Sequence, residues 1–349
     1  MSALDPAAWG LYQAVIVFVV CVLAIALAGT RITRIVDQLA DRTGIGEAAA
    51  GAVPPGASTS LGGVVLSVTA AWKGHPELAV SNAVGGIAVQ TFFLAVADLT
   101  YRRANLEHAA ASVPNLMQAA LLLSLLSLIL LTPSLPDVTL LGIHPVTPVL
   151  LVFYGYGIRL VRGAQEAPMW RPFMTRETRE DRPDDTRRMP PLPRLWAEFA
   201  GLMVVMGVAG LLLEPAAVAL AARTGLSHTL VGVLLTAVGT SIPELVTSVA
   251  AVRRGALTLA VGGIIGGNAF DTLFVAASDV GYRPGSVYHA MSADSRFWIT
   301  LTLLMSCILI MGLIRRERYG IARIGMESAA ILVLYGMGVV ILVKGGVGS

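Results

Sequence analysis

The chain has 349 residues, of which 55% are hydrophobic and only 13% charged, with a formal net charge of +3 and a mean hydropathy of +0.74. So little polar surface cannot cover a water-soluble globule of this length, so the apolar residues must face something other than their own core. They gather in blocks close to the ~20 residues that a helix needs to cross ~30 Å of hydrocarbon. The reading is an all-α membrane protein.

In chain order, ten transmembrane helices are predicted at about 11–29, 45–72, 77–99, 116–132, 143–161, 195–221, 227–252, 256–280, 297–314 and 324–343. Nothing basic precedes the first block and no small-residue cleavage pattern follows it, which favours a retained helix over a signal peptide. Cys21 and Cys307 fall inside apolar blocks, where a thiol acts as a small hydrophobe. The five histidines, His75, His108, His144, His228 and His289, lie at predicted loops or helix ends and form no ligand-spaced pair. The stretch 163–194 is dense in Arg, Asp, Glu and Pro and cannot support a core. It reads as a charged linker between a first unit, 1–162, and a second, 195–349. Most of the 25 basic residues follow odd-numbered helices. Positive charge marks the cytoplasmic side of membrane helices, so both termini are expected outside and the linker in the cytoplasm, in a cell (plasma or inner) membrane.

An internal repeat organises these blocks. Shifting the sequence by 181 residues aligns Thr43–Arg102 with Thr224–Arg283 without a gap, and 22 of the 60 pairs are identical; chance in this composition gives about five. The same offset matches Leu151, Val152, Tyr154, Gly155 and Gly157 with Leu332, Val333, Tyr335, Gly336 and Gly338. Five helices per half is an odd number, so the second half enters the membrane from the opposite face. Inverted repeats of this kind are a feature of secondary transporters, whose ion sites lie at the repeat interface near the bilayer midplane.

The polar residues within the apolar blocks concentrate in the second, third, seventh and eighth. Block seven holds Gly239-Thr240-Ser241-Ile242-Pro243-Glu244. Pro243 has no N–H to donate, which frees carbonyls one turn earlier, and Thr240 and Glu244 are spaced to share a helix face. Block eight holds Gly266-Gly267-Asn268-Ala269-Phe270-Asp271, whose glycines permit close helix approach and whose Asn268 and Asp271 point to a common face. An ionised acid in the bilayer needs a cation, a proton or donors to offset its cost, and hard cations prefer oxygen ligands. Thr240, Ser241, Glu244, Asn268 and Asp271 are therefore the candidate cage, suited to Na⁺, Ca²⁺ or H⁺. The first half offers Thr59 and Ser60 at the positions of Thr240 and Ser241, with Pro54-Pro55-Gly56 as a nearby helix break, and Gln90 opposite Asp271. It has Gly63 where the second half has Glu244, and Ile87 where it has Asn268. Glu77 and Asp98 lie nearer helix ends.

The Gly-Thr-Ser-x-Pro-Glu run, followed about 20 residues later by a Gly-rich stretch ending in Asn-x-Phe-Asp, resembles the alpha-repeat of the cation/calcium exchanger superfamily, and of the sodium/calcium exchangers in particular. The resemblance implies a fold of two inverted five-helix repeats and an ion site lined by Thr240, Ser241, Glu244 and Asp271, with Thr59 and Ser60 from the first repeat. It also implies a role for Asn82, which fits the asparagine of the family's Gly-Asn element, and it normally places an acid in both repeats, where this chain has Gly63. The expected function is antiport of inorganic cations by alternating access, without a cofactor, an enzymatic activity or a nucleic-acid partner, and with lipids as the surroundings. Cation/proton exchange and a non-transporting sensor or scaffold are the alternatives. Two acids balance one Ca²⁺, two Na⁺ or two protons.

Overall fold

The computed structural model describes residues 6–43, 59–100, 105–166, 170, 190–317 and 325–346. Among them the chain is helical, apart from loops and one isolated bridge between Leu140 and Ile143. The main helices are α1 (Leu11–Thr43), α2 (Leu61–Trp72), α3 (Pro76–Thr100), α4 (Val113–Leu131), α5 (Val146–Glu166), α6 (Leu192–Thr224), α7a (His228–Thr240) with α7b (Ile242–Arg254), α8 (Leu257–Gly281), α9 (Ala293–Arg315) and α10 (Met326–Gly346).

Seven of these are long and apolar enough to cross a membrane, and the bent pair α7a–α7b makes an eighth. The predicted count of ten includes two more, α2 and α5, that do not meet this measure. α2 has 12 residues, and the part of its predicted block before Thr59, with Pro54-Pro55-Gly56, lies outside the described residues. α5 has 21 residues, but Arg159 and Arg162 dilute its apolar run. α1 and α6 are each 33 residues long and outrun their apolar blocks, because helix propensity carries the chain on past the last residue that lipid requires. Of the 163–194 stretch, 163–166 close α5 and 192–194 open α6; most of the remainder lies outside the described residues.

The 181-residue register of the sequence is also the register of the fold. α1 becomes α6 and α3 becomes α8 when 181 is added to both ends of each helix. Several contacts between the halves come in reciprocal pairs, as a pseudo-two-fold axis implies. Gly29 on α1 packs against Pro243, and its counterpart Gly210 on α6 packs against Gly62, the counterpart of Pro243. At Gly210 a Cβ would stand 2.6 Å from the Gly62 carbonyl oxygen, so only glycine fits there. The equivalent helices α1 and α6 run antiparallel, since Arg31 pairs with Glu198 near one end and Arg223 donates to the Trp9 carbonyl at the other. The halves are therefore inverted with respect to one another.

At the centre lie α3 and α8, most of whose apolar stretch is buried. Both are rich in Gly and Ala, which lets helices approach closely where lipid supplies no hydrophobic driving force between them. The opposite ends of this pair are fastened by two equivalent aspartates. Asp98, near the end of α3, accepts from Leu106 N (2.7 Å) and Gly325 N (3.3 Å) and from the Ser328 side chain. Asp279, near the end of α8, accepts from Val287 N (3.1 Å), His144 N (2.8 Å) and Thr147 Oγ1 (2.7 Å). Adding 181 to 106, 144 and 147 gives 287, 325 and 328. Each half thus uses one acid to hold the start of the last helix of the other half.

Candidate functional site

Two helix starts meet at the site. α2 begins immediately after Thr59 and Ser60, and α7b begins immediately after Thr240 and Ser241. α7 breaks there because Pro243 cannot donate to the carbonyl one turn earlier, and α7a and α7b meet at 47°. Within α7a, Val231–Thr236 is a turn of π-helix, a deformation that lets the chain bulge around the tight approach of Gly232 to Ser81. The first turn of a helix presents unpaired N–H groups and a positive partial charge. Glu244 lies in the first turn of α7b, where both favour a carboxylate.

The second half provides the acids and the first half provides the donors. Thr59 Oγ1 donates to Glu244 Oε1 at 2.5 Å. Ser60 Oγ donates to Asp271 Oδ1 at 2.9 Å, and Gln90 Nε2 donates to Asp271 Oδ2 at 2.7 Å. Gln90 Nε2 also reaches Ser241 Oγ at 3.4 Å. Glu244 and Asp271 are 5% and 2% exposed. Among the described residues no Lys, Arg or His makes an ion pair with either acid. No group of three or more His, Cys, Asp and Glu side chains placed to hold a metal occurs among them; two acids with neutral oxygens are what this site offers.

Among the described residues the buried oxygens without a hydrogen-bond partner include Glu244 Oε2, Gln90 Oε1 and Asn268 Oδ1 at or beside the acids, and Asn82 Oδ1 farther along the first half. An unpaired buried acceptor costs about 1–3 kcal/mol, and all four are acceptors that a cation or a proton donor satisfies. The amide nitrogens are already engaged, Asn268 Nδ2 with Thr91 Oγ1 at 3.0 Å and Asn82 Nδ2 with Ser67 Oγ at 3.0 Å and the Gly63 carbonyl at 3.3 Å. Space beside Asp271 is kept by Gly86, whose Cβ would come within 3.9 Å of Asp271 Oδ2 and 3.7 Å of Ser241 Oγ.

The structure thus brings together a Thr59–Glu244 pair and a chain of Ser60, Asp271, Gln90 and Ser241, with Asn268 bonded to Thr91 of α3. Thr240 is placed differently from the sequence expectation of a face shared with Glu244. The helix breaks between the two, so i,i+4 spacing no longer applies, and Thr240 Oγ1 turns to the Ala237 carbonyl at 3.3 Å. Asn82 lies against the first-half residues Gly63 and Ser67, not against either acid. Sequence reasoning passed over Glu214, a fully buried acid on α6 whose Oε2 is held by Lys73 Nζ at 2.5 Å. Its place inside an apolar block, next to Pro215, was the available signal. It also passed over Asp279 and set Asp98 aside as near a helix end, although the 181-residue register marks the two as identical in both halves.

Comparison with known proteins adds three findings. Residues 13–159 and 194–344 match the family described as sodium/calcium exchanger protein. CaxA of Alkalimonas amylolytica is 30% identical over 264 residues, covering 72% of this chain and 76% of that protein. Among solved structures, the H⁺/Ca²⁺ exchanger CAX superposes with a TM-score of 0.67 at 14% identity, over 96% of this chain and 85% of the other. The sodium-calcium exchanger NCX_Mj, soaked with zero Na⁺ and Ca²⁺, does so with a TM-score of 0.57 at 18% identity, over 94% and 99%.

Proposed function

Because the chain belongs to the sodium/calcium exchanger family, we propose that it is a multi-pass membrane antiporter that carries inorganic cations by alternating access through the site at Glu244 and Asp271. The observation that carries this reading is the pairing of two buried acids, free of basic partners among the described residues, with oxygens and hydroxyls drawn from both inverted halves. Buried charge without a counterion is costly, by roughly 2.5–3.5 kcal/mol for an aspartate at a helix centre on the insertion scale. A bound cation or proton removes that cost, and two opposing ligands that compete for one pair of acids are obliged to exchange. Thr59, Ser60 and Gln90 hold the carboxylates in place, while Asn268 Oδ1 and Gln90 Oε1 offer neutral ligand oxygens. The charge balance favours one Ca²⁺ against two monovalent cations or two protons. No cofactor takes part. Both termini lie outside and the 163–194 linker in the cytoplasm, by the distribution of Arg and Lys.

In proteoliposomes, an imposed Na⁺ or H⁺ gradient is expected to drive Ca²⁺ uptake by the wild type. Glu244→Gln and Asp271→Asn, which keep the side-chain volume, are expected to reduce that flux to the level of empty vesicles while leaving the size-exclusion profile unchanged. Wild-type flux in either variant would remove that acid from the transport path.

A further inference from the structure

Equivalent halves would make every contact at the site occur twice. The Ser60–Asp271 bond does have its counterpart, between Ser241 and Gln90. The Thr59–Glu244 bond does not: its counterpart joins Thr240 to residue 63, which is glycine, and Thr240 Oγ1 bonds its own helix instead. The missing side chain has not left a void. A Cβ at Gly63 would stand 3.0 Å from Phe274 Cε2 and 3.7 Å from Asn82 Nδ2. Phe274 is 5% exposed, one helical turn beyond Asp271 on α8, and its ring packs edge-on to Phe270 with centroids 6.1 Å apart.

We infer that Phe274 is a specificity-determining residue: its ring fills the half-site opposite Glu244 and confines the cavity to cations that two carboxylates can neutralise. Without the ring, that volume would be bordered by the Gly63 carbonyl, Asn82 and the first turn of α2, polar groups able to accept water or a further cation. With it, the ring takes up the space that a hydrated ion would need beside those groups. The meaning of this for ion exchange rests on the antiport reading, but the filling of the half-site can be measured without transport.

The experiment compares the wild type with Gly63→Glu, Phe274→Leu and the double variant Gly63→Glu/Phe274→Leu. In detergent, thermal stabilisation is titrated with Na⁺ and with Ca²⁺, and in proteoliposomes the charge moved per Ca²⁺ is read from the reversal potential. Gly63→Glu alone is expected to lower the melting temperature, because the new side chain meets the ring, and Phe274→Leu in the same chain to restore it. The double variant is expected to show a steeper Na⁺ dependence than the wild type and to move one more positive charge per cycle. Should the added acid prevent folding, Gly63→Ala with and without Phe274→Leu makes the same steric test, since contacting positions are non-additive. Additive effects in that cycle, or a double variant with the wild-type Na⁺ dependence, would overturn the inference. Absence of flux in the wild type would overturn the antiport reading instead, and the detergent titrations would still decide the role of Phe274.

Discussion

Thr59 and Thr240 are the same residue type at equivalent positions of the repeat, yet the structure gives them different work. Thr59 donates to Glu244 across the interface of the halves, whereas Thr240 donates to a backbone carbonyl three residues back. A hydrogen bond to a charged group contributes about 1.5–3 kcal/mol, and removing it disturbs the acid that receives it. Thr59→Ala is accordingly expected to shift the apparent cation affinity by about tenfold or more. Thr240→Ala is expected to shift it by less than about threefold, because its lost bond is a local neutral one. Concentration dependence of Ca²⁺ flux measures both. Equal effects would mean that Thr240 joins the site in another state of the protein. The asymmetry follows from one substitution in the repeat, Glu244 in the second half against Gly63 in the first, and it could be read in the sequence as a missing charge. Which hydroxyl lost its partner became legible only with the helix break between Thr240 and Ile242 in view.

Among the elements, the central helices α3 and α8 do two jobs at once. Their middles carry Gln90 and Asp271 into the site, and their ends carry Asp98 and Asp279, eight residues further on in each case. Asp279 receives three donors, from His144, Thr147 and Val287, and is fully buried. Asp279→Ala would strand those donors, each at about 1–3 kcal/mol before relaxation. A loss of about 2–4 kcal/mol is expected, seen as a lower melting temperature and as earlier proteolysis of the 132–145 and 282–292 loops. Asp98→Ala is expected to do the same to the contacts of Leu106 and Gly325 on the other face. The acids of these helices look alike in the sequence; the site acid is distinguished by oxygens that no backbone amide satisfies.

For the whole molecule, α1 and α6 form a layer of their own, tied to each other near both ends by Arg31–Glu198 and by Arg223 with the backbone of Ala7 and Trp9. That layer meets the remainder through small residues, Gly29 on Pro243 and Gly210 on Gly62, and through one buried ion pair, Glu214 of α6 with Lys73 after α2. Breaking a buried pair from one side costs about 3–5 kcal/mol. Lys73 is 38% exposed, and solvent screens it in part, so about 2–3 kcal/mol is the expected cost of Lys73→Ala. Adding Glu214→Gln to that variant removes the stranded charge and is expected to restore most of the lost melting temperature. A double variant no more stable than the single one would show that Lys73 supports the fold by packing alone.

Hydropathy, the 181-residue repeat and the Gly-Thr-Ser-x-Pro-Glu run determined, from the sequence by itself, an all-α membrane protein in two inverted halves, and they singled out Thr59, Ser60, Glu244 and Asp271, which the fold brings close together. These are matters of local composition and of a register counted along the chain, and an apolar block or a buried acid declares itself wherever it falls. The tertiary structure decided which donors meet which acids, that Lys73 neutralises Glu214 from 141 residues away, that Asp98 and Asp279 serve as fasteners, and that the Phe274 ring packs against Gly63. Each of these joins residues far apart in the chain, and their partnership depends on how helices pack, where a proline bends one of them, and which side chain reaches an empty space first.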